Sequence, residues 1–149
     1  MKIAYGTPTT LTITLTSMAD GNSRESNTVD NQSDKYLDAL VLVSVNVGTV
    51  ANEKRVIVYA WGDVDGSTLP DTITGSDAAI TLENPTVLYE LGVIPVPTSS
   101  KTYESNAFSV ARVFGGVMPL RWGVVVSNRS GAALAASGHT VKWTGVYLA

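Results

Sequence analysis

Thr10-Leu11-Thr12-Ile13-Thr14-Leu15-Thr16 alternates without a break, threonine at every even position and an aliphatic side chain at every odd one. A period of two puts Leu11, Ile13 and Leu15 on one face of an extended chain and leaves no helical face to compete with it. The same reading extends outward. Tyr36–Val47 places Leu37, Ala39, Val41, Val43, Val45 and Val47 on one face, while Leu40 and Leu42 on the other predict a strand covered on both sides in its middle. Arg55–Trp61 alternates Val56, Val58 and Ala60 against Ile57, Tyr59 and Trp61. Val87–Ile94, closed by Pro95 and Pro97, and Thr102–Val113 read as further strands, as do Arg121–Ser127 and Thr140–Tyr147.

The segments between them carry turn chemistry. Asp20-Gly21-Asn22-Ser23 and Asn128-Arg129-Ser130-Gly131 read as tight turns, and residues 20–38, with seven charges, read as a solvated excursion. Gly62 to about Ala78 is a long polar loop, and Gly115-Gly116 with Pro119 ends the strand before it. No stretch shows the i, i+3, i+4, i+7 pattern of a helix, and Ala132–Ala136 has room for one helical turn at most. About seven or eight short strands with turns between them predict an all-β chain. Residues 1–149 are expected to form one antiparallel β-sandwich domain, jelly-roll-like, with an immunoglobulin-like sandwich as the alternative.

Composition narrows the function. There is no cysteine, hence no disulfide and no thiolate ligand or nucleophile. Net charge is −3 and pI near 5.0, opposite to the basic footprint of a nucleic-acid binder. No run approaches the roughly 18 apolar residues of a membrane span, and the opening residues Met1–Pro8 hold no signal-like apolar stretch. A chain made in a cytoplasm, and kept there or carried out within a larger particle, is expected. Charged residues make up only 15 % of the chain, against about 25 % in ordinary soluble domains. All thirteen acids lie at or before Glu104, where the net charge is −7, while residues 105–149 carry only Arg112, Arg121, Arg129 and Lys142. That late segment is either buried in central strands or meets a partner.

Catalytic residue types are scarce. His139, the one histidine, sits in Ala136-Ser137-Gly138-His139 and is expected to be an exposed loop residue. No serine stands in a G-x-S-x-G setting, and Gly115-Gly116 lacks the lysine of a phosphate loop. Asp63-Val64-Asp65-Gly66-Ser67 opens like a calcium loop, but no glutamate follows before Glu83, so both aspartates are expected to form turns. Trp61, Trp122 and Trp143 would suit a sugar platform if exposed, yet each sits among apolar neighbours and is expected in the core. Asn31-Gln32-Ser33 and Asn128-Arg129-Ser130 match the N-glycosylation triplet, which carries no weight without a secretory signal. No catalytic, cofactor-binding or metal residue is assigned.

Two stretches carry a resemblance. Leu15–Ser26 followed by Val29-Asp30-Asn31, and Phe108-Ser109-Val110-Ala111 with Gly115–Asn128 and Ser130–Leu134, resemble the opening and closing halves of small tailed-phage structural proteins. The resemblance implies a non-enzymatic β-sandwich virion protein, made in the host cytoplasm. Its expected role is capsid decoration, bound to the major capsid protein on the outer head surface as a homo-oligomer, a trimer for preference, with no cofactor, nucleic acid or membrane. A tail-fibre, baseplate or other glycan-binding sandwich is the alternative.

Overall fold

The computed structural model describes all residues, Met1–Ala149. Its strands are β1 (Ile3–Tyr5), β2 (Thr9–Thr10), β3 (Ser23–Glu25), β4 (Val29–Asp30), β5 (Asp38–Asn46), β6 (Arg55–Asp63), β7 (Ala78–Ile80), β8 (Tyr89–Pro95), β9 (Thr102–Glu104), β10 (Phe108–Ser109), β11 (Arg121–Arg129) and β12 (Thr140–Leu148), and α1 (Val110–Val113) is a single helical turn.

All pairing is antiparallel. One sheet runs β1–β12–β5–β10, with β2 also on β12 and β9 also on β5; the other runs β7–β3–β11–β6–β8, with β4 also on β11. Count β1–β2, β3–β4 and β9–β10 as one position each and set β7 aside as an added edge. The first sheet then holds the first, eighth, third and sixth positions, and the second sheet holds the second, seventh, fourth and fifth. That order is a jelly roll. Each of the first three connections crosses from one sheet to the other, so the immunoglobulin-like alternative, which keeps early neighbours in one sheet, is set aside.

Val41, Val43 and Val45 of β5 face Val56 and Val58 of β6 and Val124 and Val126 of β11 across the sandwich, all completely buried. Trp122 and Trp143 come from opposite sheets and meet edge to face, centroids 5.4 Å apart, with Tyr36 edge-on to Trp143 at 5.8 Å. A second apolar cluster, Trp61, Ile73, Leu88 and Val125, lies on the outer face of the second sheet. The loops after β6 and before β8 fold over that face. β6 and β11 are therefore the strands covered on both sides. The expectation that β5 would be is corrected, because Leu42 on its outer face is 39 % exposed.

Four further expectations need correction. Thr10–Thr16 is extended, but its sheet ladder ends with β2. Leu11 N–H still donates to Val141 O; thereafter Thr12 N–H and Thr14 N–H donate to the side chains of Asn27 and Asp77. The segment crosses between sheets, and its alternation records burial of Leu11 and Leu15 rather than a neighbouring strand. Thr102–Val113 breaks into β9, β10 and α1, because Asp38 accepts hydrogen bonds from Ser109 Oγ and Ala111 N–H, and Ser109 caps the turn. The one helical turn is there; Ala132–Ala136, given room for one turn at most, forms none, and its Leu134 bridges to Val47. Residues 20–38 contain β3 and β4, with Ser23, Glu25, Ser26 and Asn31 buried. Finally, Asn128 belongs to β11 and is fully buried, its amide donating to Met18 O and Ala132 O, so the turn begins only at Ser130.

Candidate functional site

The residues flagged for chemistry are occupied by the fold. His139 is half-buried rather than exposed: Nδ1 accepts from Asn46 N–H at 3.1 Å and Nε2–H donates to Ala135 O at 2.8 Å. A fixed amide donor on one side and a carbonyl on the other assign one neutral tautomer. The ring clips the β11–β12 connection to the end of β5.

Asp63, at the end of β6, is buried against Arg121, whose Nε donates to Oδ2 at 2.5 Å, while Oδ1 accepts from Gly66 N–H at 3.0 Å. Asp65 accepts from Thr68 Oγ1 at 2.6 Å and from the backbone N–H groups of Thr68 and Ser67 at 2.7 and 2.8 Å. Those bonds, the Thr68 hydroxyl first, hold its carboxyl far below the usual range. Both aspartates build the turn, as their spacing suggested. Nowhere do three His, Cys, Asp or Glu side chains converge on a point that could hold a metal ion.

Trp61, Trp122 and Trp143 are 1 %, 1 % and 9 % exposed, so none is a platform for a sugar ring. Trp61 lies so close to β11 that a Cβ at Gly123 would sit 2.6 Å from its Nε1. That glycine is a packing requirement which sequence reading passed over.

Several large apolar side chains stand exposed at one end of the molecule. Where β5 and β11 begin and β6 and β12 end, Val64, Val117, Tyr89 and Leu37 stand 88, 72, 52 and 51 % exposed, with Leu120 and Tyr147 beside them. The turns at the opposite end, Gly48–Lys54, Pro97–Lys101 and Ser130–Gly131, expose no large apolar side chain. Two open clefts of about 590 and 770 Å³ flank the loop Gln32–Leu37, and Tyr36 and Leu37 line both. Gly6, Tyr147 and Leu148 wall the first; Gly116, Val117, Met118 and Pro119 wall the second.

Asn31 holds this loop. Its Nδ2 donates to Tyr36 O at 3.1 Å and its Oδ1 accepts from Tyr36 N–H at 2.9 Å, closing the loop as a strand pair would. In sequence Asn31 is only the head of an irrelevant triplet; its partner five residues on was the available signal. Leu37, expected on the core face beside Ala39, sits beyond the end of the core and is the exposed member of this surface. No protein-family model matches the chain, and no curated protein matches it.

Proposed function

We propose that the protein is a non-enzymatic virion structural subunit of a tailed bacteriophage. It decorates the outer head surface, bound to the major capsid protein, as a homo-oligomer. The observation that carries this reading is the set of exposed apolar side chains at one end of the sandwich, where Leu37 stands between two open clefts, Val117 and Leu120 wall one of them, and Val64 projects from the loop after β6. Contiguous exposed apolar surface marks interaction sites, and broad shallow relief suits a protein partner better than a small substrate. The low charge content and the internal engagement of His139, Asp63 and Asp65 support it as well.

The −7 and +4 segments of the chain are not separate patches, because β11 lies between β3 and β6, and β12 between β1 and β5. Arg121 is spent on Asp63, and Arg112 donates to Leu91 O. The charge distribution therefore gives no reason to prefer a trimer, and the proposal is a homo-oligomer. A glycan-binding module is less well supported with all three tryptophans buried.

The test is to image virions made without the gene. Loss of surface knobs from an intact head supports the reading. A missing tail part, or particles identical to wild type, rejects it.

A further inference from the structure

β1 is the outermost strand of the first sheet, paired on one side only, to β12. Lys2 N–H donates to Ala149 O and Ala149 N–H to Lys2 O, and Gly6 N–H donates to Gly145 O. Antiparallel ladders alternate bonded and non-bonded pairs, so Lys2, Ala4 and Gly6 point their backbone groups at β12. Ile3 and Tyr5, opposite Leu148 and Val146, point theirs away from the sheet. Their side chains are 66 and 63 % exposed.

Such an edge is a template for another strand, and natural sheets guard theirs with proline, charge, bulges or cover. The other edges here are guarded. β10 and α1 pack against β8, closing that flank. Asp77, leading into β7, carries an ion pair with Arg24 and is bonded to the crossing segment through Thr14. Pro8 interrupts the first edge between β1 and β2. Ile3-Ala4-Tyr5 has no charge among its three residues and no strand paired on its outer side.

We infer that β1 pairs antiparallel with β1 of a second copy of this chain, about a twofold axis at Ala4. The backbone is self-complementary in that register. Ile3 exchanges both hydrogen bonds with Tyr5 of the second copy, Tyr5 does so with Ile3, and the two Ala4 residues face each other as the non-bonded pair. Each Ile3 side chain lies beside a Tyr5 ring, a favourable cross-strand pairing of β-branched with aromatic residues. Lys2 falls opposite Gly6, so the two cations do not meet. The result is one continuous sheet through both sandwiches, an isologous contact that makes a dimer. A three-residue edge buries less than the roughly 800 Å² per partner of a standard interface, so the dimer forms with a Kd of about 10 µM to 1 mM. This inference rests on backbone geometry and stands independently of the virion reading.

The test uses the full chain, which has no cysteine of its own. Ala4→Cys places two thiols across the axis at a Cα separation of about 4.5 Å, within disulfide reach. Mild oxidation yields a disulfide-linked dimer, whereas Thr10→Cys, on the same edge beyond Pro8, does not. Sedimentation equilibrium then fixes the register. Ile3→Lys with Tyr5→Lys sets like charges opposite each other and weakens association at least about tenfold. Ile3→Lys with Tyr5→Glu sets opposite charges against each other and restores it. A wild-type monomer up to about 1 mM, a Lys/Lys variant that dimerises as well as wild type, or oligomers in which Ala4→Cys fails to cross-link would overturn the inference.

Discussion

Glu25 is the fully buried carboxylate of this chain. It lies on β3 between Ala78 and Val125, with no cation against it. Its oxygens accept from Thr74 Oγ1 at 2.5 Å, Thr74 N–H at 2.9 Å and Gly75 N–H at 3.2 Å, and Thr28 Oγ1 donates to Gly75 O beside them, so the loop after β6 is tied down at Thr74–Gly75. Removing it empties a fully buried position and takes the acceptor from the part-buried donors of Thr74 and Gly75, at about 1–3 kcal/mol for each group left unmet. Glu25→Ala should therefore lower the urea unfolding free energy by more than about 2 kcal/mol. Glu25→Gln should be nearly as costly, because an amide NH₂ on either side meets a donor. Asp77 offers a pH test. Burial raises its pKa, but hydrogen bonds from Arg24 and Thr14 outweigh that and hold it below the ordinary value of 3.8. A carboxyl depressed on folding contributes stability above its unfolded pKa and loses it as pH falls through the folded one. Thermal melts from pH 5 downward should show a steeper loss below about pH 4 in wild type than in Asp77→Asn, and equal slopes would reject the assignment. None of these roles was legible in sequence. An acid in a polar stretch reads as solvated unless its donors, here some 50 residues away, are known.

Among the elements, the long strands could be read and the crossings could not. β5, β6, β11 and β12 each lie within a residue or two of their alternating runs, because burial between two sheets writes period two directly into the residues. Thr10–Thr16 carries the same signature, yet its backbone leaves the ladder after Leu11 and is held by the side chains of Asn27 and Asp77. Alternation reports which side chains are covered, and only topology says what the backbone bonds to. Leu15, 2 % exposed at the far end of the crossing, should therefore matter as a core residue does. Leu15→Ala is expected to cost about 2–5 kcal/mol by chemical denaturation. Thr16→Ala, whose side chain is exposed, should fall within about 0.5 kcal/mol of wild type. The outer cluster gives a second contrast. Trp61 Nε1 is buried without an acceptor, so Trp61→Phe gives up no hydrogen bond and should be tolerated far better than Trp122→Ala, expected at about 3–5 kcal/mol.

For the molecule entire, the question is why one end is apolar and the other is not. Folding does not require it: the core is closed by Tyr36, Trp122 and Trp143 beneath that end, and Val64 and Val117 project beyond it with most of their surface in water. Such side chains add little to stability and raise the risk of aggregation, and it is this end that the proposed attachment would use. Little of this could be read from the sequence. Leu37, Val64 and Val117 lie 27 and 53 residues apart; the first reads as a core-facing strand residue and the other two as loop residues until the jelly roll brings them to one end. The separation of stability from attachment is measurable. Leu37→Asp and Val117→Asp, alone and combined, should leave the melting temperature within a few degrees of wild type, because neither residue packs into the core. If this end seats the protein on a phage head, the double variant should fail to bind purified heads lacking the native subunit, while Lys54→Asp at the opposite end binds normally. Binding retained by the double variant would move the contact elsewhere, the outer face of the first sheet being the next surface to probe.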